Sequence, residues 1–170
     1  MTDILVAYAT AAGSTTGVAE AVGEVFREAG ATVDVASAKD VTDVSGYSAV
    51  VVGSGIRAGR PYAEAKKFLA AQEAALSGMP VACFIVCATL QNNTEQDLSE
   101  AAGYADALAT AAPRVQPVAK GAFAGAMDFG KLPFLMRLIV KAMKSQEGDW
   151  RDWDAIRGWA AEVYPKLAES

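Results

Sequence analysis

The sequence predicts an α/β domain: a five-stranded parallel sheet covered by helices on both faces. Five apolar runs of strand length alternate with stretches in which apolar residues recur every three or four positions, which is the helical period. The runs are apolar almost throughout rather than alternating, as in parallel strands buried on both faces and joined by right-handed helical crossovers. A third observation locates the working end. The first run, Ile4–Ala9, drops directly into six small residues, Thr10–Thr15, before a helical pattern begins.

Taken in order, Val18, Val22, Val25, Phe26 and Ala29 give the first helix one apolar face, and Gly30 ends it. Thr32–Ala36 reads as the second strand and Ala49–Gly53 as the third, fully buried one. The second helix is expected from Pro61, a residue suited to a first turn. Its inner face is Tyr62, Ala65, Phe68, Leu69 and Leu76. Gly78 and Pro80 turn the chain into Val81–Cys87, the fourth strand. The third helix follows Thr94, with Leu98, Ala102, Ala105, Leu108 and Ala112 inward, and Pro113 and Pro117 bracket its end. Val118–Phe123 is the fifth strand, and the last helix carries Trp153, Ile156, Trp159, Ala160, Val163 and Leu167.

One segment exceeds this scheme. Residues 125–148 hold Leu132, Phe134, Leu135, Leu138 and Ile139, with Arg137, Lys141 and Lys144 along one helical face. That is a basic amphipathic helix inserted before the last one, able to meet a membrane surface, a hydrophobic anion or the body of the domain. Residues 1–170 together read as a single domain.

Composition narrows the function. Apolar residues make up 52% and charged ones 21%, a globular balance, and the net charge of −5 argues against a nucleic-acid binder. No apolar run reaches the length of a membrane span and the first residues lack a signal-peptide pattern, so a cytoplasmic location is expected. Cys83 and Cys87 share one strand, about 13 Å apart, too far to bridge; both are expected as reduced core fillers. The chain has no histidine, which removes Ser-His-Asp and Cys-His nucleophiles and imidazole metal sites. No carboxylate cluster at ligand spacing replaces them, so no metal site is expected and no catalytic side chain is identified. A cofactor is expected to carry the chemistry.

A strand leading through small residues to a helix start gathers unpaired N–H groups and the positive end of the helix dipole. The loop has no Lys or Arg, so an anion there would be held by N–H and hydroxyl donors; the alternative is a plain turn capped by Ser or Thr. The loops expected outside the strand ends are Thr10–Thr15, Ser54–Arg60 and Ala88–Thr94. Gly53-Ser-Gly-Ile-Arg-Ala58 fits the dinucleotide pattern but leads into Gly59-Arg60-Pro61 rather than a helix. A P-loop would need a Lys here, and a receiver domain an acidic residue after the third strand. A mononucleotide with a terminal phosphate remains, and on known precedent flavin mononucleotide (FMN) suits a sheet of order 2-1-3-4-5. In that arrangement Thr10, Ala11, Ala12, Gly13, Ser14 and Thr15 hold the phosphate. Ser54, Gly55, Ile56 and Arg57, with Ala88, Thr89, Leu90 and Gln91, flank the ring.

Three stretches carry a family likeness: Thr10-x-x-Gly13-Ser14-Thr15; Gly53-Ser-Gly-Ile56-Arg57-x-Gly59; and the segment from Gly121 through Arg137-Leu-Ile-Val-Lys141 to Gly148-Asp-Trp-Arg-Asp-Trp153. On these the chain resembles flavodoxin-domain proteins, and among them the bacterial menaquinone-dependent protoporphyrinogen IX dehydrogenases of heme biosynthesis. The resemblance implies a flavodoxin-like fold, FMN, an anionic porphyrin-type substrate and a quinone or redox-protein partner. It also implies that the insertion distinguishes the enzymes from simple carriers. Arg57 and Arg60 are then candidates to bind propionates, although a surface ion pair is an equal reading of Arg57. Arg137, Lys141 and Lys144 are candidates to attract the substrate, or an anionic membrane met peripherally at its inner face through residues 131–144. Ala12 stands where carriers commonly have a hydroxyl, and Arg60 where the dehydrogenase pattern has a His. The alternatives are an electron carrier between a reductase and an acceptor, or an NAD(P)H:quinone reductase.

Overall fold

The computed structural model describes residues 2–10, 13–87, 94–127, 134, 135, 138 and 148–169. β1 (Asp3–Ala9) pairs in parallel with β2 (Thr32–Ser37) on one side and β3 (Ala49–Arg57) on the other. A two-residue strand β4 (Arg60–Pro61) folds back antiparallel onto the end of β3. β5 (Val81–Cys87) pairs with β3, and β6 (Ala119–Ala124) with β5, both parallel. The sheet order is therefore β2-β1-β3-β5-β6, with β4 off this path. Setting β4 aside, this is the 2-1-3-4-5 order of the flavodoxin-like fold.

Side chains alternate across each strand, and the two faces bury different sets. Ile4 and Val6 of β1, with Val51 of β3 and Phe84 of β5, pack under α1 (Ser14–Glu28) and α4 (Trp153–Ala168) through Val18, Val22, Phe26, Ile156, Ala160 and Val163. Leu5, Ala7, Val52 and Ile85 point the other way, under α2 (Ala63–Leu76) and α3 (Glu95–Ala109), through Phe68, Leu69, Leu76, Ala105 and Leu108. Phe84 is held edge-on by Trp159 and tilted against Phe123, with centroids 5.9 Å away in each case. It lies flat enough on β3 that a Cβ on Gly53 would come within 2.1 Å of its Cζ.

Several expectations shift. β3 continues past Gly53 to Arg57 because the chain reverses there into β4 instead of opening into a loop. Pro61 lies in that short strand, and α2 starts after it, with Tyr62 as N-cap. On α3 the inward stripe is Ala101, Ala105 and Leu108, with Ala112 beyond the helix, while Leu98 is 49% exposed and Ala102 is exposed. The small alanines let the helix lie close to β5 and β6, and the sequence pattern alone favoured the larger leucine. Ala29 caps α1 in solvent, and Val25 is only half-buried. Trp153, in the first turn of α4, is 41% exposed instead of in the core.

The insertion is bracketed by a two-stranded ribbon, β7 (Ala126–Met127) and β8 (Gly148–Asp149). Gly125 N–H donates to the Cys87 carbonyl at 3.2 Å, and Trp150 N–H to the Gly125 carbonyl at 3.1 Å. Both ends of the insertion are thereby fixed at the C-terminal edge of β5 and β6. Phe134, Leu135 and Leu138 are helical and exposed. No helix among the described residues is long and apolar enough to cross a membrane.

Candidate cofactor-binding site

The site begins at the end of β1. Gly13 is the N-cap of α1 with φ 88°, a left-handed conformation that glycine adopts without strain. Its N–H donates to Thr10 Oγ1 at 3.0 Å, so the loop is braced internally. Among the described residues, no side chain caps α1. The amides of its first turn can therefore serve a bound acceptor.

Thr15 lies one residue into that turn, fully buried, and its Oγ1 has no hydrogen-bond partner among the described residues. A buried hydroxyl without a partner costs about 1–3 kcal/mol, a cost that a bound acceptor would remove. Across from it is Gly55, at the end of β3. A Cβ there would stand 2.8 Å from Tyr62 Cε2 and 3.1 Å from Thr15 Oγ1. The missing side chain lets the head of α1, the end of β3 and the Tyr62 ring close together. Ser14 Oγ faces the other way, 3.7 Å from where a Cβ on Gly125 would be. Thr10, Gly13, Ser14, Thr15 and Gly55, all expected at the cofactor, therefore gather at one strand edge.

Ser54 is buried and its hydroxyl is used within the protein, donating to the Gly55 carbonyl at 2.7 Å and accepting from Tyr62 N–H at 2.9 Å. It shapes the β3 end from beneath. Ile56 and Arg57 follow in β3. The two-residue turn Ala58-Gly59, with φ of 50° and 74°, then sets Arg57 opposite Arg60 across the hairpin. Both arginines are exposed. Ala11, Ala12, Ala88, Thr89, Leu90, Gln91, Arg137, Lys141 and Lys144 lie outside the described residues.

One neighbour of α1 was not foreseen. The loop itself is neutral, as expected, but the structure brings Arg151 to α1: its Nη1 is 2.9 Å from where a Cβ on Gly17 would sit. The local sequence around the loop gives no sign of this contact, because Arg151 arrives from the far side of the insertion.

Cys83 and Cys87 are both buried. Burial pushes the Cys83 thiol up to about 12, so it stays protonated and unreactive. A separate concavity of about 620 Å³ runs along the outer edge of β2. Asp34, Asp40 and Asp43 line it and make it a poor host for a phosphate.

A flavodoxin-domain family model matches residues 5–154. The chain belongs to the flavodoxin-domain family. Solved flavodoxin structures agree along their whole lengths. An archaeal flavodoxin superposes with a TM-score of 0.61 at 18% identity, covering 97% of this chain and 98% of its own. Oxidised Flavodoxin 1 from Bacillus cereus gives 0.63 at 15%, covering 96% and 97%. The rubredoxin oxygen:oxidoreductase of Desulfovibrio gigas gives 0.57 at 15%; the match covers 98% of this chain but 36% of that larger one. Comparison with curated proteins gave no match.

Flavodoxin-domain proteins bind FMN, and the residues of this flavodoxin domain suit it. The uncapped head of α1 and the unpartnered Thr15 hydroxyl offer donors to a phosphate. The side-chain-free Gly55 leaves room beside Tyr62.

Proposed function

We propose that this flavodoxin domain is an FMN-dependent oxidoreductase of the quinone-linked protoporphyrinogen IX dehydrogenase type. Gly13, Ser14 and Thr15 hold the phosphate through N–H groups and the Thr15 hydroxyl, with Thr10 bracing the loop. Bound there, FMN supplies one- and two-electron transfer between the substrate and a quinone acceptor.

The observation that carries the enzyme reading is the hairpin. The register of the hairpin sets Arg57 directly opposite Arg60, two exposed guanidinium groups at the end of β3. A substrate carrying two carboxylates matches this spacing, since guanidinium groups bind carboxylates by paired hydrogen bonds. Porphyrinogen propionates have this chemistry. The ribbon at Ala126–Met127 and Gly148–Asp149 adds support, because it roots the basic insertion at the same edge. Phe134, Leu135 and Leu138, exposed on a helix with the basic residues of 131–144 around them in sequence, suit peripheral contact with the membrane that carries the quinone.

The test compares the full chain, loaded with FMN, with a form lacking residues 128–146, using a porphyrinogen and a menaquinone analogue. The full chain oxidises the porphyrinogen, and the shortened form stays yellow and folded but does not. A full chain that holds FMN yet leaves porphyrinogen untouched overturns the enzyme reading. A carrier role is the second reading, favoured by the net charge of −5, which suits docking to a basic redox partner. It predicts rapid reduction by a flavin reductase with no porphyrinogen turnover.

A further inference from the structure

We propose that Arg151 is a phosphate-binding residue of the FMN site, a cation delivered to the head of α1 from beyond the insertion. The proposal rests on the FMN reading above and specifies how this chain holds the cofactor's anionic end.

Arg151 is fixed from two sides. Its Nε and Nη2 donate to the Asp149 carboxylate at 2.9 and 2.6 Å, a two-pronged fork, and its guanidinium lies over the Trp153 ring, 4.8 Å from the centroid. The nitrogen that the fork leaves over is Nη1, and this is the atom set against Gly17. Gly17 stands directly after the three first-turn residues Ser14, Thr15 and Thr16, within about one 5.4 Å turn of their amides. The Gly125 end of the ribbon lies beside Ser14, and Trp150 N–H is bonded to the Gly125 carbonyl. The chain is therefore already anchored to this flank of α1 when it reaches Arg151.

An anion would complete the charge balance here. A guanidinium beside the N-terminus of a helix faces the positive end of the dipole, where anions belong. Asp149 offsets part of this charge, and the fork holds its carboxyl below the usual carboxylate range. A phosphate dianion would offset the rest. That a ligand is wanted here is shown independently by Thr15 Oγ1, fully buried in the same turn and without a partner. Glycine at 17 completes the arrangement, since any side chain would displace the guanidinium.

The experiment measures the affinity of apo-protein for FMN and for riboflavin, which lacks the phosphate, by quenching of flavin fluorescence. Arg151→Gln weakens FMN about tenfold and leaves riboflavin within twofold, and Arg151→Lys recovers part of the loss. A structural role confined to fastening the ribbon would weaken both flavins equally, and that outcome overturns the proposal, as does an unchanged FMN affinity. Should Arg151→Gln fail to fold, Gly17→Ala serves instead: alanine is the stronger helix former, and its methyl pushes Nη1 aside. It keeps the fold and lowers FMN affinity selectively; equal binding of both flavins by Gly17→Ala and wild type refutes the idea. Wild-type protein that binds riboflavin as tightly as FMN also refutes it, whereas wild type that takes up neither flavin overturns the FMN reading itself.

Discussion

Thr15 poses a problem that the folded chain alone does not solve. Its hydroxyl is fully buried with no partner, in the turn whose amides are uncapped. Thr15→Val keeps the shape and removes the polar atom, so its two effects have opposite signs. The apo-protein gains about 1 kcal/mol of stability, because the desolvation cost disappears. FMN affinity falls about tenfold, or ~1.4 kcal/mol, because a hydrogen bond to a charged acceptor is lost. Thermal unfolding of the apo-protein and an FMN titration check the pair, and a loss of apo stability would mean the hydroxyl already has a role inside the protein. The residue scale also shows what glycine contributes. At positions 17 and 55 it is the absence of a Cβ, more than backbone freedom, that lets Arg151 and Tyr62 approach α1 and β3.

At the scale of elements, the β3–β4 hairpin carries local strain. A two-residue hairpin turn of type I′ needs positive φ at both central positions, and here Ala58 supplies the first at φ 50° and Gly59 the second at 74°. Ala58→Asn creates the Asn-Gly pair that such turns prefer. It should stabilise the protein by up to ~1 kcal/mol, a rise of about 2–4 °C in melting temperature for a domain of this size. Differential scanning calorimetry reads it, and Arg57 and Arg60 stay opposite each other. A second element-scale contact joins β2 to the segment before β3: Tyr47 Oη donates to Asp34 Oδ2 at 2.7 Å. The bond raises the phenol from 10.0 to about 12. The folded state thus keeps the proton after the unfolded chain has lost it. The stabilisation is complete below pH 10 and disappears as pH rises toward 12. Wild type should lose more stability than Tyr47→Phe across that window, measured by urea unfolding at successive pH values; parallel curves would show that the bond contributes nothing.

For the molecule as a whole, the question is what the insertion adds to the core. Among the described residues, the sheet and the helices that cover it come from either side of 128–147, and Met127 and Gly148 face each other across the ribbon. Removing residues 128–146 should therefore leave the melting temperature of the FMN-loaded protein within a few degrees while abolishing porphyrinogen oxidation. Calorimetry together with the turnover assay measures both, and a collapse in stability would place the insertion in the core instead.

Much of this was readable from the chain. Near-continuous apolar strands and helical periods between them announced the parallel sheet, and a neutral small-residue loop after the first strand marked the edge where the cofactor is proposed to bind, since period and turn chemistry are local properties. On α3, Ala105 and Leu108 face inward as expected, as does Ala112 just beyond it. The start of the stripe is Ala101 in place of Leu98 and Ala102, because hydrophobicity ranks Leu98 above Ala101 while close packing prefers the alanine. What only the tertiary structure decided lies in contacts between distant segments: Arg151 against Gly17, Tyr62 and Thr15 closing over Gly55, and Arg57 brought opposite Arg60 by a reversal at Ala58. Such contacts depend on where elements come to rest against each other, and neither composition nor spacing along the chain encodes that in any one place.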